Sequence, residues 1–133
     1  MSTNQLVIFV ILAALVLFAL RPLFLGGPRV TAAEAQARIQ AGSAVLVDVR
    51  ESGEWSDGVA GPAVLLPMSD LRGGRAQWSA FLDANREKEL ILYCASGMRS
   101  GTVAAALRKE GFKTANLGGF GTWAGAGLPV RKP

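Results

Sequence analysis

Apolar residues fall along the chain in two kinds of block. The first runs from Leu6 to Leu20, LVIFVILAALVLFAL, fifteen residues without a polar side chain. At about 1.5 Å per residue this falls short of a hydrocarbon core about 30 Å thick, so a spanning helix must borrow from its flanks. The flanks permit it: Ser2 to Gln5 are uncharged, Arg21 suits snorkelling, and Leu23-Phe24-Leu25 resumes the apolar run. A cleaved secretory signal has an apolar stretch of similar length, but here no basic residue precedes it and RPLFLGGPRV offers no small-x-small cleavage site. A buried soluble helix would show a polar face, and this run has none. Residues 1–25 are therefore expected to be a transmembrane anchor, with lipid contact through residues 6–25. Residues 26–29, beginning Gly26-Gly27-Pro28, read as a linker, and residues 30–133 as the domain it carries.

Beyond Val30 the blocks shorten and alternate in type. Thr31-Ala-Ala-Glu34 is a capping box, and the Ala-rich run to Ala41 with Gly42 after it predicts a short helix. AVLVDV (44–49) and ELILYC (89–94) are near-continuous apolar runs, as strands covered on both faces require. Between them Val64 to Leu66 reads as extended, with helix from about Ser69 and with Trp78 and Leu82 at i, i+4 spacing. Ser100 to Glu110 predicts a helix with Val103 and Leu107 inward, Arg108 and Lys109 against the C-terminal dipole, and Gly111 as its stop. FKTANL (112–117) predicts a third strand. Strands and helices alternating through connections this short describe an α/β domain with a small parallel sheet flanked by helices. Gly118-Gly119-Phe120-Gly121 is not G-x-G-x-x-G and has no helix signal behind it, so no nucleotide site is expected there.

Composition narrows the chemistry. The 133 residues leave room for one domain of about 100 residues. The net charge of +4 comes from 14 basic and 10 acidic side chains that are scattered. This suits a surface near anionic headgroups, read mainly as solvated surface, and lacks the stripe that would point to nucleic acid. Arg21 and Arg29 follow the apolar segment and nothing basic precedes it, so the positive-inside bias places the domain in the cytoplasm. One cysteine and no histidine rule out a Cys-His dyad, a Ser-His-Asp triad, a His-bearing zinc site, a CxxC pair and an intramolecular disulfide. No metal or cofactor is expected.

A lone cysteine is by default a small buried hydrophobe. Cys94, however, closes a buried strand at its carboxyl end, where open parallel sheets place ligands, and a helix begins within six residues. The amides from Ala95 to Ser100 are then positioned to form an anion-binding nest reinforced by a helix N-terminus. Such a setting lowers a thiol pKa without an imidazole. Ala95, Ser96 and Gly97 are small enough for a tight curl, and Gly97 tolerates positive φ. Arg99 carries a fork suited to an oxyanion, or is a surface arginine beside Ser100 as helix N-cap.

Three motifs carry a family resemblance: Asp48-Val-Arg50-Glu51 with Glu54-Trp55; Cys94-Ala-Ser-Gly-Met98-Arg99-Ser100; and Leu117-Gly-Gly with Trp123 and Gly127-Leu-Pro-Val130. In this order, over some hundred residues, the chain from about Val30 to Val130 resembles a single-domain rhodanese, a sulfurtransferase. The apolar segment ahead of it resembles the anchored bacterial members, which implies a single-pass inner-membrane protein. The resemblance implies a rhodanese-like three-layer fold and a ping-pong reaction. Cys94 would take a sulfane sulfur from a small anionic donor such as thiosulfate and pass it to a thiophilic acceptor. The amides of Ala95, Ser96, Gly97, Met98, Arg99 and Ser100 would hold the transferred sulfur, Arg99 would attract the donor, and Asp48 with Arg50 would brace the site. No particular protein partner is implied. The chain departs from the family at Gly58-Val59-Ala60-Gly61-Pro62-Ala63, where a histidine is usual.

Two other functions compete. A non-catalytic rhodanese-like module would dock a partner at the membrane without using the thiol. A cysteine phosphatase would use the same nucleophile, but phosphatases of this fold place five residues between Cys and Arg, and here four intervene, Ala95 to Met98. The smaller bowl fits one sulfur atom better than a phosphoryl group, which usually also needs a nearby general acid.

Overall fold

The computed structural model describes residues 1–25 and 27–133; the side chains of residues 21–25, and Gly26, expected to begin the linker, lie outside what is described. Helix α1 spans Thr3–Leu25. Its Thr3–Leu20 stretch has a mean hydropathy of 2.4 and none of it is buried, as a membrane span or a signal sequence would be. Thr31 caps α2 (Ala32–Gln40), its hydroxyl oxygen accepting from the Glu34 amide at 3.1 Å. The Glu34 carboxylate accepts from the Thr31 hydroxyl at 3.0 Å, so the capping box closes through side chains.

The remaining elements are β1 (Ala44–Asp48), β2 (Val59–Ala60), β3 (Val64–Leu65), α3 (Met68–Arg72), α4 (Trp78–Ala84), β4 (Glu89–Cys94), α5 (Met98–Lys109), β5 (Thr114–Gly119), α6 (Phe120–Gly125) and β6 (Val130–Arg131). A four-stranded parallel sheet runs in the order β3-β1-β4-β5. A separate antiparallel pair joins β2 to β6. Alternate residues of β4 point to opposite faces. Leu90, Leu92 and Cys94 join Val103 and Leu107 of α5 and Trp78 and Leu82 of α4 on one side. Ile91 and Tyr93 join Leu46, Ala35 of α2 and Trp123 of α6 on the other. The result is the three-layer α/β arrangement, with the sheet apolar on both faces because both are covered.

Several expectations shift. The predicted helix from Ser69 is two helices, α3 and α4, broken at Gly73 and Gly74, and the carboxylate of Asp70 accepts from the amides of Ala76, Gln77 and Trp78 to start the second. The third strand begins at Thr114, two residues late, because Phe112 turns into the core between α5 and the sheet. A short helix, α6, does follow Gly119, where no helix was expected; its six residues are too few to show periodicity, and buried Trp123 fixes it. Pro28 and Arg29 are not free linker. The Asn116 amide donates to the Pro28 carbonyl at 2.9 Å and the Val30 amide to the Asn116 carbonyl at 3.2 Å, so this segment runs parallel along the outer edge of β5. Edge pairing satisfies backbone groups that β5 would otherwise expose.

Candidate active site

Cys94 ends β4 with its side chain fully buried. The chain then turns through Ala95 and Ser96 to Gly97, whose φ of +96° reverses it into α5. A Cβ there would press on the Gly118 backbone at 3.1 Å. Gly119 lies so close that a Cβ would come within 2.5 Å of the Ala95 carbonyl oxygen. The Leu-Gly-Gly motif is thus a surface against which the loop packs, and side chains on either partner would push the loop open.

The amide of Gly97 donates to Cys94 Sγ at 3.0 Å, and the Ser100 hydroxyl lies 3.4 Å from the same sulfur. Burial alone pushes the thiol pKa up. The Ser100 hydroxyl, followed by the amides of Ser100, Gly97 and Ser96, outweighs it, and the net direction is below the ordinary thiol value. These donors do for the thiolate what a neighbouring imidazole does elsewhere. The helix begins at Met98 with Gly97 as its N-cap, one turn earlier than an N-cap at Ser100 would set it. That shift carries Ser100 into the first turn, where its side chain turns toward the sulfur.

Asn116, which sequence reasoning passed over, holds this arrangement from β5. Its Oδ1 lies 2.8 Å from the Ser100 hydroxyl, whose single proton goes either to it or to the sulfur, and accepts from the Gly118 amide at 3.0 Å; its Nδ2 donates to the Gly97 carbonyl at 2.9 Å. A buried asparagine two residues before a Gly-Gly pair was the available signal, since such a group needs several partners.

Arg99 is half-buried and forks onto Glu54, Nη1 at 2.7 Å and Nη2 at 2.8 Å from its two oxygens. The guanidinium bonds and the Glu51 amide outweigh desolvation and hold the Glu54 carboxyl at about 2. The Arg99 guanidinium is raised in turn, mainly by Glu54 and in smaller part by the Cys94 thiolate. Glu54 appeared in the sequence only as part of a motif; its role as clasp needs the fold, since 45 residues separate the pair. Met98 projects away, 80% exposed.

Asp48 and Arg50 meet on the other face of the sheet. Asp48 is fully buried and accepts from Arg50 Nε and Nη2 at 3.1 and 2.8 Å and from the Arg50 amide at 2.9 Å. Arg50 also donates to the Gly58 carbonyl at 2.8 Å, and its guanidinium lies 4.8 Å from the centre of the Phe120 ring. Among the described residues no hydrogen bond from either reaches Cys94 or its loop. Val59, at the site of the missing histidine, is buried in β2. No cluster of metal-ligating side chains occurs among the described residues.

Residues 31–126 match the Rhodanese-like domain family. This chain belongs to the rhodanese-like family. It is similar to the YtwF protein of Bacillus subtilis, 39% identical over 85 residues that cover 63% of this chain and 77% of that protein. Similarity to "Thiosulfate sulfurtransferase GlpE" of Coxiella burnetii is 32% over 92 residues, covering 68% and 80%. A rhodanese-related protein of Thermoplasma volcanium superposes with a TM-score of 0.67 at 27% identity, over 80% of this chain and 99% of that one. The thiol, its loop and the Gly-Gly strand end of this rhodanese domain all lie within the matched segment.

Asn116→Ala leaves the Gly97 carbonyl and the Gly118 amide without side-chain partners, and should destabilise the domain by about 2–4 kcal/mol in denaturant unfolding. Ser100→Ala, which leaves both of those bonds in place, should cost about 1 kcal/mol in the same assay. The Arg99–Glu54 clasp should be pH-sensitive in one window only. Because folding lowers the Glu54 pKa from 4.5 to about 2, its contribution is complete above pH 4.5 and is lost as pH falls toward 2. Glu54→Gln should therefore flatten the stability-pH curve across that interval when acid unfolding is followed by tryptophan fluorescence.

Proposed function

We propose that this rhodanese-like protein is a sulfurtransferase that carries a sulfane sulfur on Cys94, tethered to a membrane by α1. The observation that supports it most is the thiol at the floor of a loop whose amides and Ser100 hydroxyl converge on the sulfur. The Cys94 thiolate attacks the outer sulfur of the donor. A new S–S bond forms as the donor's own S–S bond breaks, and the leaving group, sulfite when thiosulfate is the donor, departs with the electron pair. An acceptor nucleophile then attacks the outer sulfur, and the Cys94 thiolate leaves with the bonding pair. No net oxidation occurs across the cycle.

The terminal persulfide sulfur bears negative charge in the intermediate, and amides fixed before the reaction stabilise it without reorganisation. Ala95, Ser96 and Met98 are exposed at the rim, where a substrate approaches. Arg99 contributes charge, but Glu54 occupies two of its donors, which leaves donor recognition mainly to the loop amides and the start of α5. The four-residue interval between Cys94 and Arg99 favours sulfur over phosphate. The hydropathy of α1 and the basic residues after it favour an inner-membrane anchor with the domain on the cytoplasmic side.

Incubation of the full chain in detergent with thiosulfate should add one sulfur atom to the intact mass, and subsequent cyanide should remove it. Cys94→Ala should gain nothing. An unmodified wild-type mass with thiosulfate and with a low-molecular-weight persulfide would contradict the proposal.

A further inference from the structure

The edge strand at Pro28–Val30 fixes which end of the sheet the membrane segment must reach. It runs parallel to β5 with Pro28 and Val30 bonded on either side of Asn116. The chain therefore enters the domain at the amino-terminal end of the sheet, the end opposite Cys94. Gly27 confirms the route, since a Cβ there would collide with the guanidinium of Arg108 in the last turns of α5. From Leu25, where α1 ends, three peptide links reach at most about 11 Å to Pro28. A membrane-inserted α1 thus leaves the amino-terminal end of the sheet little room to lift off the headgroups.

That end carries the charges to exploit this position. Lys88 precedes β4, Lys113 precedes β5 and Lys109 closes α5, all exposed. Among the described residues Lys88 and Lys109 make no ion pair, and Lys113 only approaches Glu89 at 4.0 Å. The acidic side chains there are mostly engaged: Asp83 with Arg86, Glu89 with Arg38 and Glu110 with Arg75; Glu87 is the exception. At the opposite end the order reverses. There Arg50 is bound to Asp48 and Arg99 to Glu54, Glu51 accepts from the Ser69 hydroxyl, and Asp57 is a further exposed carboxylate.

We propose that the face bearing Lys88, Lys109 and Lys113 docks on anionic lipid headgroups and so points the Cys94 loop away from the bilayer. The proposal rests on the reading of α1 as a membrane anchor. A domain held this way receives sulfur from, and hands it to, molecules in the aqueous phase. Each lysine at the headgroup surface favours the docked state on the order of fivefold, so the three together shift the docked-to-free ratio by about 100-fold.

The test uses the full chain in nanodiscs with a headgroup-attached quencher. Cys94→Ser removes the single native thiol, and a fluorophore is placed through Ala84→Cys beside the lysines or Ser56→Cys at the opposite end, both exposed positions. Quenching at position 84 and not at 56 is expected with phosphatidylglycerol. It should fall with phosphatidylcholine alone, in roughly 0.5 M salt, where charges are screened within about 4 Å, and in the combined Lys88→Gln, Lys109→Gln, Lys113→Gln variant. With Cys94 intact, that variant should transfer sulfur in detergent at the wild-type rate, which shows it is folded. Equal quenching at both positions, or quenching at 84 that ignores lipid charge and the three lysines, would overturn the docking proposal while leaving the anchor in place. Extraction of the chain from membranes by alkaline carbonate would remove the anchor reading and the proposal with it, but would not touch sulfur transfer.

Discussion

Everything at the candidate site depends on donors fixed around one sulfur atom. A buried thiol resists ionisation, and this chain has no histidine to oppose that cost. The amides of Ser96, Gly97 and Ser100 and the Ser100 hydroxyl supply the opposing interaction. They can do so only while the loop keeps its curl. Gly97 at positive φ makes the curl, the absence of side chains at Gly118 and Gly119 gives it room, and Asn116 ties both to the start of α5.

Asn116 also links two parts of the molecule that look unrelated. Its side chain holds the loop, and its main chain holds Pro28 and Val30. The segment that joins the domain to α1 is therefore bonded to the same residue that shapes the site. The entry of the chain into the domain and the candidate site thus share one strand, β5.

The parts of the fold legible in the sequence were those with a strong repeating signal. ELILYC is a strand over all of its six residues, and Trp78 and Leu82 are both buried as their spacing requires. Short elements failed because nothing repeats within them: α6 is fixed by one tryptophan, and β2 and β6 exist only by pairing between distant parts of the chain, Val59 with Arg131 at the first rung and Ala60 with Val130 at the second. The edge strand at Arg29 was hidden by Gly-Gly-Pro, which reads as linker until β5 is there to receive it.

At the site, Cys94 and its loop stood out because the chemistry is local, a thiol and six following residues. Glu54 and Asn116 did not, because each acts on residues far away in sequence. Asp48 and Arg50 were legible as a pair, yet their place on the opposite face of the sheet from the thiol needed the strand's alternation to be tied to real neighbours. The most direct test of the account is a titration of the Cys94 thiolate by its ultraviolet absorbance in the full-length wild-type chain, which has no other thiol. The midpoint should fall below that of an ordinary cysteine and rise in Ser100→Ala; a midpoint at or above the ordinary value would contradict the claim that the loop donors activate this sulfur.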